Sequence, residues 1–237
     1  MKAVIQAGGK GTRLRPYTLV LPKPLVPVGG YPVIEILLKW LRRNGVAESC
    51  ITLGYLGSLI RAVCGDGEKF GMPIRYVQEE EPLNTVGALH LLGKSVLDAT
   101  FLSLNGDVIT DLNLREMLRF HKNHGGLLTV ATATKPVSLD LGVLELDENN
   151  IATGFREKPK LTYAVSMGIY CMEPEILDLI PEKVAFGFDD LMYTMLDKGL
   201  PVHAYRHQGM WMDIGRPEDY VKAQEVFEKN QASILGV

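Results

Sequence analysis

The chain has 237 residues, of which 46% are hydrophobic and 22% charged, with a formal net charge of −3. That balance belongs to a globular protein able to bury its own core, and its lysines and arginines are scattered, which argues against nucleic acid as a partner. Cys50, Cys64 and Cys171 are odd in number and set among apolar neighbours, so free thiols in a reducing compartment are expected. With no charged leader and no run of about 18 apolar residues, the expectation is a cytoplasmic protein with no membrane contact.

Lys2 to Gln6 reads as a buried first strand. It runs into Ala7-Gly8-Gly9-Lys10-Gly11-Thr12-Arg13-Leu14-Arg15-Pro16 and then Pro22-Lys23-Pro24. Three glycines let the backbone turn tightly and bring its N–H groups against an anion, while Arg13 adds a planar fork and Lys23 a point charge. The composition of this stretch suits a polyphosphate. Its spacing excludes a Walker loop, which needs Ser or Thr where Gly11 stands, and a dinucleotide fingerprint, which needs Gly or Ala where Leu14 stands.

Helix-period and strand-length segments then alternate: helix Val33 to Arg43, strand Ser49 to Leu53, helix Gly57 to Cys64, strand Ile74 to Gln78, helix Val86 to Leu97, strand Thr100 to Leu104. Such alternation predicts βαβ units and a mostly parallel sheet. The last strand leads to Asn105-Gly106-Asp107, and Asp111 reads as a turn or N-cap residue before a helix starting near Leu114. From Leu127 the pattern turns β-rich, with Leu127 to Thr132, Gly142 to Leu146, Ile151 to Arg156 and Val165 to Cys171 as an added mixed or antiparallel section. Helices near Pro174 to Leu179, Asp189 to Lys198 and Pro217 to Lys229 complete a single α/β domain.

Ligands of open α/β sheets bind beyond the carboxyl ends of the strands. The glycine loop, Gln78 to Gly87 and Asp107 all follow strands and would meet there. A turn aspartate alone is most often a cap, but facing a triphosphate cradle Asp107 becomes a Mg²⁺ ligand, since that ion takes one or two carboxylates plus phosphate oxygens. His121 and His124, three residues apart, read as a solvated helix end, and His90, His203 and His207 carry no assignment.

The glycine loop with Arg13 and Pro22-Lys23-Pro24 resembles the opening signature of the sugar-1-phosphate nucleotidyltransferases, the NDP-sugar pyrophosphorylases. Further segments carry the likeness. Trp211-Met212-Asp213-Ile214-Gly215 is similar to the family's Trp-x-Asp-x-Gly, which implies that Asp213 completes a Mg²⁺ site with Asp107. Phe155-Arg156-Glu157-Lys158-Pro159 resembles Phe-x-Glu-Lys-Pro, which implies Glu157 on sugar hydroxyls and Lys158 on the sugar phosphate. Gly142 and Gly168 match positions where a sugar approaches the backbone, although Leu141 stands where an aromatic residue is common, and Asn105 is grouped with them as substrate-binding. In the stretch Glu79 to Gly87 the resemblance puts Glu79 at the base edge, with Asn84, Thr85 and Gly87 joining Ala7, Gly8, Gly9, Gly11, Thr12, Arg13, Lys23 and Asp107 on the nucleotide.

The likeness spans Met1 to about Tyr220, and its wording is nearest to mannose-1-phosphate guanylyltransferases, many of which carry a C-terminal β-helix for which no residues remain here. It implies a Rossmann-like three-layer domain over 1–237, with 1–125 mainly nucleotide-binding and 126–237 mainly sugar-phosphate-binding. The implied reaction, of EC 2.7.7 type, joins an NTP to a sugar 1-phosphate and releases pyrophosphate, with Arg13, Lys23 and Lys158 as its catalytic cations. GTP is favoured because a carboxylate at Glu79 only accepts hydrogen bonds and guanine offers N1–H and N2–H, with mannose 1-phosphate or a related sugar as acceptor. Uridylyl or cytidylyl transfer to another sugar phosphate, a non-sugar alcohol phosphate as acceptor, and a non-catalytic nucleotide-sugar-binding regulator are the alternatives. Whether the chain forms a homo-oligomer is left open.

Overall fold

The computed structural model describes residues 1–235, so the last two residues of the 1–237 span lie outside it. A seven-stranded sheet organises the chain: β1 (Lys2–Ala7), β4 (Glu48–Leu53), β5 (Ile74–Gln78), β6 (Phe101–Asn105), β8 (Leu128–Ser138), β11 (Lys160–Met172) and β12 (Val202–His207). Their order is β12-β8-β11-β6-β1-β4-β5. Only β11 runs antiparallel to its neighbours β6 and β8, and every other pair is parallel. The small ladders are β2 (Pro27–Val28) with β3 (Tyr31–Pro32), β7 (Val108–Thr110) with β13 (Trp211–Asp213), and β9 (Val143–Leu146) with β10 (Ala152–Arg156).

Helices cover both faces because the central strands are apolar on both. In β1, Ala3 and Ile5 pack into one core and Val4 into the other, as the two-residue period of a strand requires. The first core is closed by α1 (Val33–Arg43), α2 (Gly57–Cys64) and α4 (Leu114–His124); the second by the segment after α3 (Asn84–Gly87) and by α5 (Phe188–Asp197). A third cluster lies under α6 (Pro217–Leu235), where Ala223, Phe227 and Ile234 meet Val26, Val28, Val33 and Ile36. Trp40 Nε1 donates to the Leu112 carbonyl at 3.2 Å and Asn44 Oδ1 accepts the Leu114 N–H at 3.0 Å, which ties α1 to the start of α4.

The mostly parallel sheet and its β-rich addition match the sequence reading, and helices Val33 to Arg43 and Gly57 to Cys64 fall at the expected bounds. Elsewhere the structure differs. Val86 to Leu97 is no single helix: α3 ends at Gly87, a 3₁₀ turn covers Ala88–Leu91, and Gly93 turns into the left-handed region at φ 65°. Val86, Leu89, Leu92 and Leu97 still reach the second core, so the apolar spacing was real while the backbone between them was not helical. Pro174–Leu179 is likewise 3₁₀. β8 and β11 run well past the expected strands because each supplies the other's hydrogen bonds from Ser138↔Lys160 inward. Asp111 does not cap α4; Asn113 does, its side chain accepting from the N–H groups of Arg115 and Glu116. His121 is not solvated: it is 1% exposed, with Nδ1 2.8 Å from Thr129 Oγ1 and Nε2 3.0 Å from Glu173 Oε1.

All three cysteines are free and buried, and burial pushes their thiols up, to about 11 for Cys50 and Cys64 and about 12 for Cys171. Thiols so protonated are poor nucleophiles. Among the described residues no helix is long and apolar enough to cross a membrane. The cap on α4 gives a test of the local account: Asn113→Ala removes both N-terminal hydrogen bonds and should cost about 1 kcal/mol of stability in urea unfolding. An unchanged midpoint would show that Asn113 does not hold the start of α4.

Candidate active site

Parallel strands deliver their carboxyl ends to one edge, and a crevice of about 560 Å³ opens there. Gln6 and Ala7 of β1, Thr52 of β4, Glu79 just after β5, Asn105 at the end of β6, and Gly106 and Asp107 after it form its floor and walls. Backbone contact holds these segments together. Tyr55 N–H donates to the Gly8 carbonyl at 3.2 Å, Glu79 N–H to the Leu53 carbonyl at 2.8 Å, and Gly106 N–H to the Gln6 carbonyl at 3.0 Å. A side chain at Gly54 would put its Cβ 2.9 Å from Gly8 Cα, and one at Gly8 would sit 2.8 Å from Glu79 Cδ, so glycine at both positions is what lets β1, β4 and the Glu79 segment close on one another.

The loop after β1 lines the crevice through Gly8, Gly9, Gly11, Thr12 and Arg13. Gly11 is left-handed at φ 59° and its carbonyl accepts from Thr18 Oγ1 at 2.8 Å and from the Leu14 N–H at 3.0 Å. That spends the loop's carbonyl inward. The N–H groups of Gly9, Gly11, Thr12 and Arg13 donate to no protein acceptor among the described residues, which leaves a set of donors for an anion. Arg13 is exposed at the rim. Lys23 bonds Asp107 Oδ2 through Nζ, the two side chains being only 14% and 15% exposed.

Glu79 lines the same crevice, its carboxylate against Gly8, with Pro82, Asn84 and Thr85 also on the wall. Its Oε2 accepts the Leu83 N–H at 3.1 Å. Burial pushes its carboxyl above the ordinary carboxylate value, and the Leu83 N–H draws it part of the way back. Asn84 is left-handed at φ 61°, a conformation asparagine tolerates better than most residues. The second half of the chain reaches the same place: Phe186 N–H donates to the Leu83 carbonyl at 3.0 Å and Phe188 N–H to Thr85 Oγ1 at 3.0 Å, which sets Gly187 and Asp189 on the wall.

Six of the residues expected at the site lie outside this lining. Gly87 is buried in packing, its N–H donated to the Phe186 carbonyl at 2.9 Å. Gly168, left-handed at φ 69°, lies under Asn105, where a Cβ would be 2.5 Å from Nδ2. Gly142, Glu157 and Lys158 belong to the exposed β9–β10 arm, with the Phe155 ring 2.6 Å and Glu157 Oε2 3.3 Å from where a Gly142 Cβ would stand. Asp213 pairs with Val108 in the β7–β13 ladder, Ile214 N–H donates to the Asp107 carbonyl at 3.3 Å, and Asp213 Oδ2 would be 2.9 Å from a Cβ on Gly215, a lining residue. The two aspartates therefore lie at the same end of one short ladder, Asp213 opposite Val108 and Asp107 just before it.

The sequence reading missed Gln6, Thr52, Gly187, Asp189 and Gly215. Thr52 left a signal, as a polar residue at the end of the apolar strand Cys50-Ile51-Thr52-Leu53, where its side chain is 1% exposed. Gln6 donates to Ser103 Oγ at 2.8 Å and leaves its own Oε1 buried without a partner among the described residues. Asp189 read only as a helix start, and nothing local tied it to a segment a hundred residues earlier. Among the described residues no group of three or more His, Cys, Asp or Glu side chains gathers as a metal cage. Asp107 lines the crevice and Asp213 stands across the ladder from the residue after it, a donor set that fits Mg²⁺, since that ion takes one or two carboxylates and fills its remaining positions with water and phosphate oxygens.

Comparisons with known proteins agree with this geometry. Residues 2–230 match the family model described as Nucleotidyl transferase. The UTP–glucose-1-phosphate uridylyltransferase of Synechocystis sp. is 36% identical over 241 residues, covering 94% of this chain and 62% of that protein. The probable mannose-1-phosphate guanylyltransferase 3 of Oryza sativa subsp. japonica is 35% identical over 237 residues, covering 96% of this chain and 64% of that protein. The chain thus spans somewhat under two thirds of these relatives' length. Among solved structures, HddC from Yersinia pseudotuberculosis superposes with a TM-score of 0.75 at 26% identity, covering 95% of this chain and 99% of that one. The same protein complexed with GMP-PN gives a TM-score of 0.74. With a family match over nearly its whole length and relatives about 35% identical over more than nine tenths of it, the chain belongs to the nucleotidyl transferase family.

Proposed function

We propose that this chain transfers a nucleotidyl group from an NTP to a sugar 1-phosphate, releasing pyrophosphate and forming an NDP-sugar. One observation carries the reading: the glycine loop with its unspent N–H groups, the Lys23–Asp107 pair and Glu79 line a single crevice. A triphosphate laid along it would have its outer phosphates on the loop amides and Arg13, and its base at Glu79. The attacking oxygen of a sugar phosphate is already ionised, so no general base is needed and rate comes from alignment and charge neutralisation. Arg13 carries charge on the departing pyrophosphate, Lys158 on the β9–β10 arm holds the sugar phosphate with Glu157 on its hydroxyls, and Lys23 turns from Asp107 to the reacting phosphate. Asp107 and Asp213 would hold Mg²⁺, which when bound supplies charge neutralisation of the phosphate oxygens.

Guanine is the favoured base. Glu79 accepts two parallel N–H bonds from guanine N1 and N2 but one from uracil, and relatives named mannose-1-phosphate guanylyltransferase and the GMP-PN complex of HddC support it. Mannose 1-phosphate or a related sugar is the matching acceptor. The uridylyltransferase relative favours the second reading, UTP, whose N3–H suits the same carboxylate.

Pyrophosphate release from GTP, UTP, CTP and dTTP against a panel of sugar 1-phosphates tests both levels of the proposal. The expected outcome is Mg²⁺-dependent release with GTP preferred, and a fall of about 100-fold or more in turnover for Asp107→Asn. Absence of release with every pairing of substrates would overturn the activity, and a UTP preference of about tenfold, or roughly 1.4 kcal/mol, would overturn guanine.

Glu79 also gives a stability test. A carboxyl whose folded pKa is raised contributes stability below the ordinary carboxylate range and loses it as pH rises through the folded value. Glu79→Gln keeps an acceptor for the Leu83 N–H and carries no charge. Without ligand, the variant should therefore gain on wild type in thermal unfolding as pH is raised from about 4 to 7. A gain on lowering the pH instead would mean that Glu79 is stabilised, not penalised, as a carboxylate.

A further inference from the structure

β12 ends at His207 and β13 begins at Trp211, and the connection between them has no part in the chemistry above. Asp111, one residue past β7, closes it. Its Oδ1 accepts the Met210 N–H at 2.8 Å and His207 Nε2 at 2.9 Å, and its own N–H donates to the Met210 carbonyl at 3.2 Å. Thr110 Oγ1 donates to the same carbonyl at 2.7 Å. Two acceptors face His207 Nε2, the Asp111 carboxylate and the Met210 carbonyl at 3.3 Å, so this nitrogen carries a hydrogen whatever the state of Nδ1. The junction is tight, since a methyl at Gly209 would lie 2.7 Å from His207 Cε1 and run into the Asp111 carboxylate.

From this junction β13 pairs antiparallel with β7, Trp211 opposite Thr110, Met212 opposite Ile109 and Asp213 opposite Val108. The ladder is three residues long on each side. A two-stranded ladder of that length is marginal alone, and a slip of one residue turns every side chain to the other face. Burial of Val108 in the first core and of Ile109 and Ile214 in the third, with Met212 packed on them, favours one register, and the contacts that close the ladder's ends add to it. At the Asp213 end there is one backbone bond, from Ile214 N–H to the Asp107 carbonyl. At the other end stand the Asp111 contacts and Trp211 Nε1, which donates to the Met167 carbonyl at 2.9 Å.

We propose that Asp111 and His207 are positioning residues: the Asp111 carboxylate, clamped between the His207 ring and the Met210 amide, fixes the register of β13 and so holds the Asp213 carboxylate beside Asp107. Neither side chain touches the reacting groups. The inference rests on the reading that Asp107 and Asp213 take a divalent ion, and its test separates the two. Mn²⁺ binding is measured by loss of the free-ion electron paramagnetic resonance signal for wild type, Asp111→Ala, Asp111→Asn, His207→Ala and Asp213→Asn, alongside the Mg²⁺ concentration for half-maximal turnover.

Asp213→Asn alters the ligand itself, and Asp111→Ala and His207→Ala remove the clamp at the far end of its strand; each should weaken Mn²⁺ by about 10-fold or more, the scale seen when a metal ligand loses its support. Asp111→Asn, which retains an acceptor oxygen for Met210 and His207, should bind nearly as wild type, a rescue that general loss of packing would not give. If Asp111→Ala does not fold, His207→Ala decides. Weakened binding in Asp213→Asn with unchanged binding in the alanine variants overturns the positioning role alone. Unchanged binding in Asp213→Asn overturns the metal reading and the positioning role with it.

Discussion

Backbone packed on backbone at the carboxyl end of β1 is the constraint on which the site depends. β1 lies between β4 and β6 in parallel register, so the segments leaving all three strands emerge at one edge. There Gly8 touches both Gly54 and the Glu79 carboxylate, at distances that leave no room for a Cβ on either glycine. The loop after β1, with Arg13 and Lys23 downstream, is thereby fixed against the residues that follow β5 and β6. A side chain at Gly54 would meet the Gly8 backbone and push β1 from β4, whereas one at Gly8 would displace the Glu79 carboxylate.

Charge follows from that geometry. Lys23 and Asp107 are nearly buried and bonded to each other, and such a pair is neither strongly stabilising nor safely broken, because removing one partner leaves the other buried and uncompensated. In the proposed reaction a triphosphate with a divalent ion would offer both groups a new partner, anionic oxygens for the ammonium and a cation for the carboxylate, so that exchange of partners would keep both charges compensated. Glu79, whose carboxyl burial penalises when ionised, stands to gain in the same way from N–H donors on a base.

Much of this was legible in the sequence because it was local. The glycine loop, Arg13, Lys23, Glu79 and Asp107 each follow a strand whose apolar run is plain, and strand-end rules bring them together before any coordinate is known. What was hidden is long-range. Thr52 and Asp189 enter the crevice through pairings between distant segments, and His121 is buried by contacts with Thr129 and Glu173 that no helical period reveals. The apolar spacing from Val86 to Leu97 described burial faithfully and misdescribed the backbone, because packing of Gly87 against Phe186 and the left-handed turn at Gly93 override helical propensity. Asp111 looked like a cap because it precedes α4, and Asn113, two residues closer, took that role.

The most direct measurement is a crystal structure with Mn²⁺ and a non-hydrolysable GTP analogue, the ion located by its anomalous scattering. The expected result is Mn²⁺ between Asp107 and Asp213, Lys23 turned to a phosphate, the outer phosphates on the loop amides of Gly9 to Arg13, and guanine on Glu79. An analogue bound away from the glycine loop, or a Lys23–Asp107 pair left intact with Mn²⁺ held by phosphates alone, would contradict it.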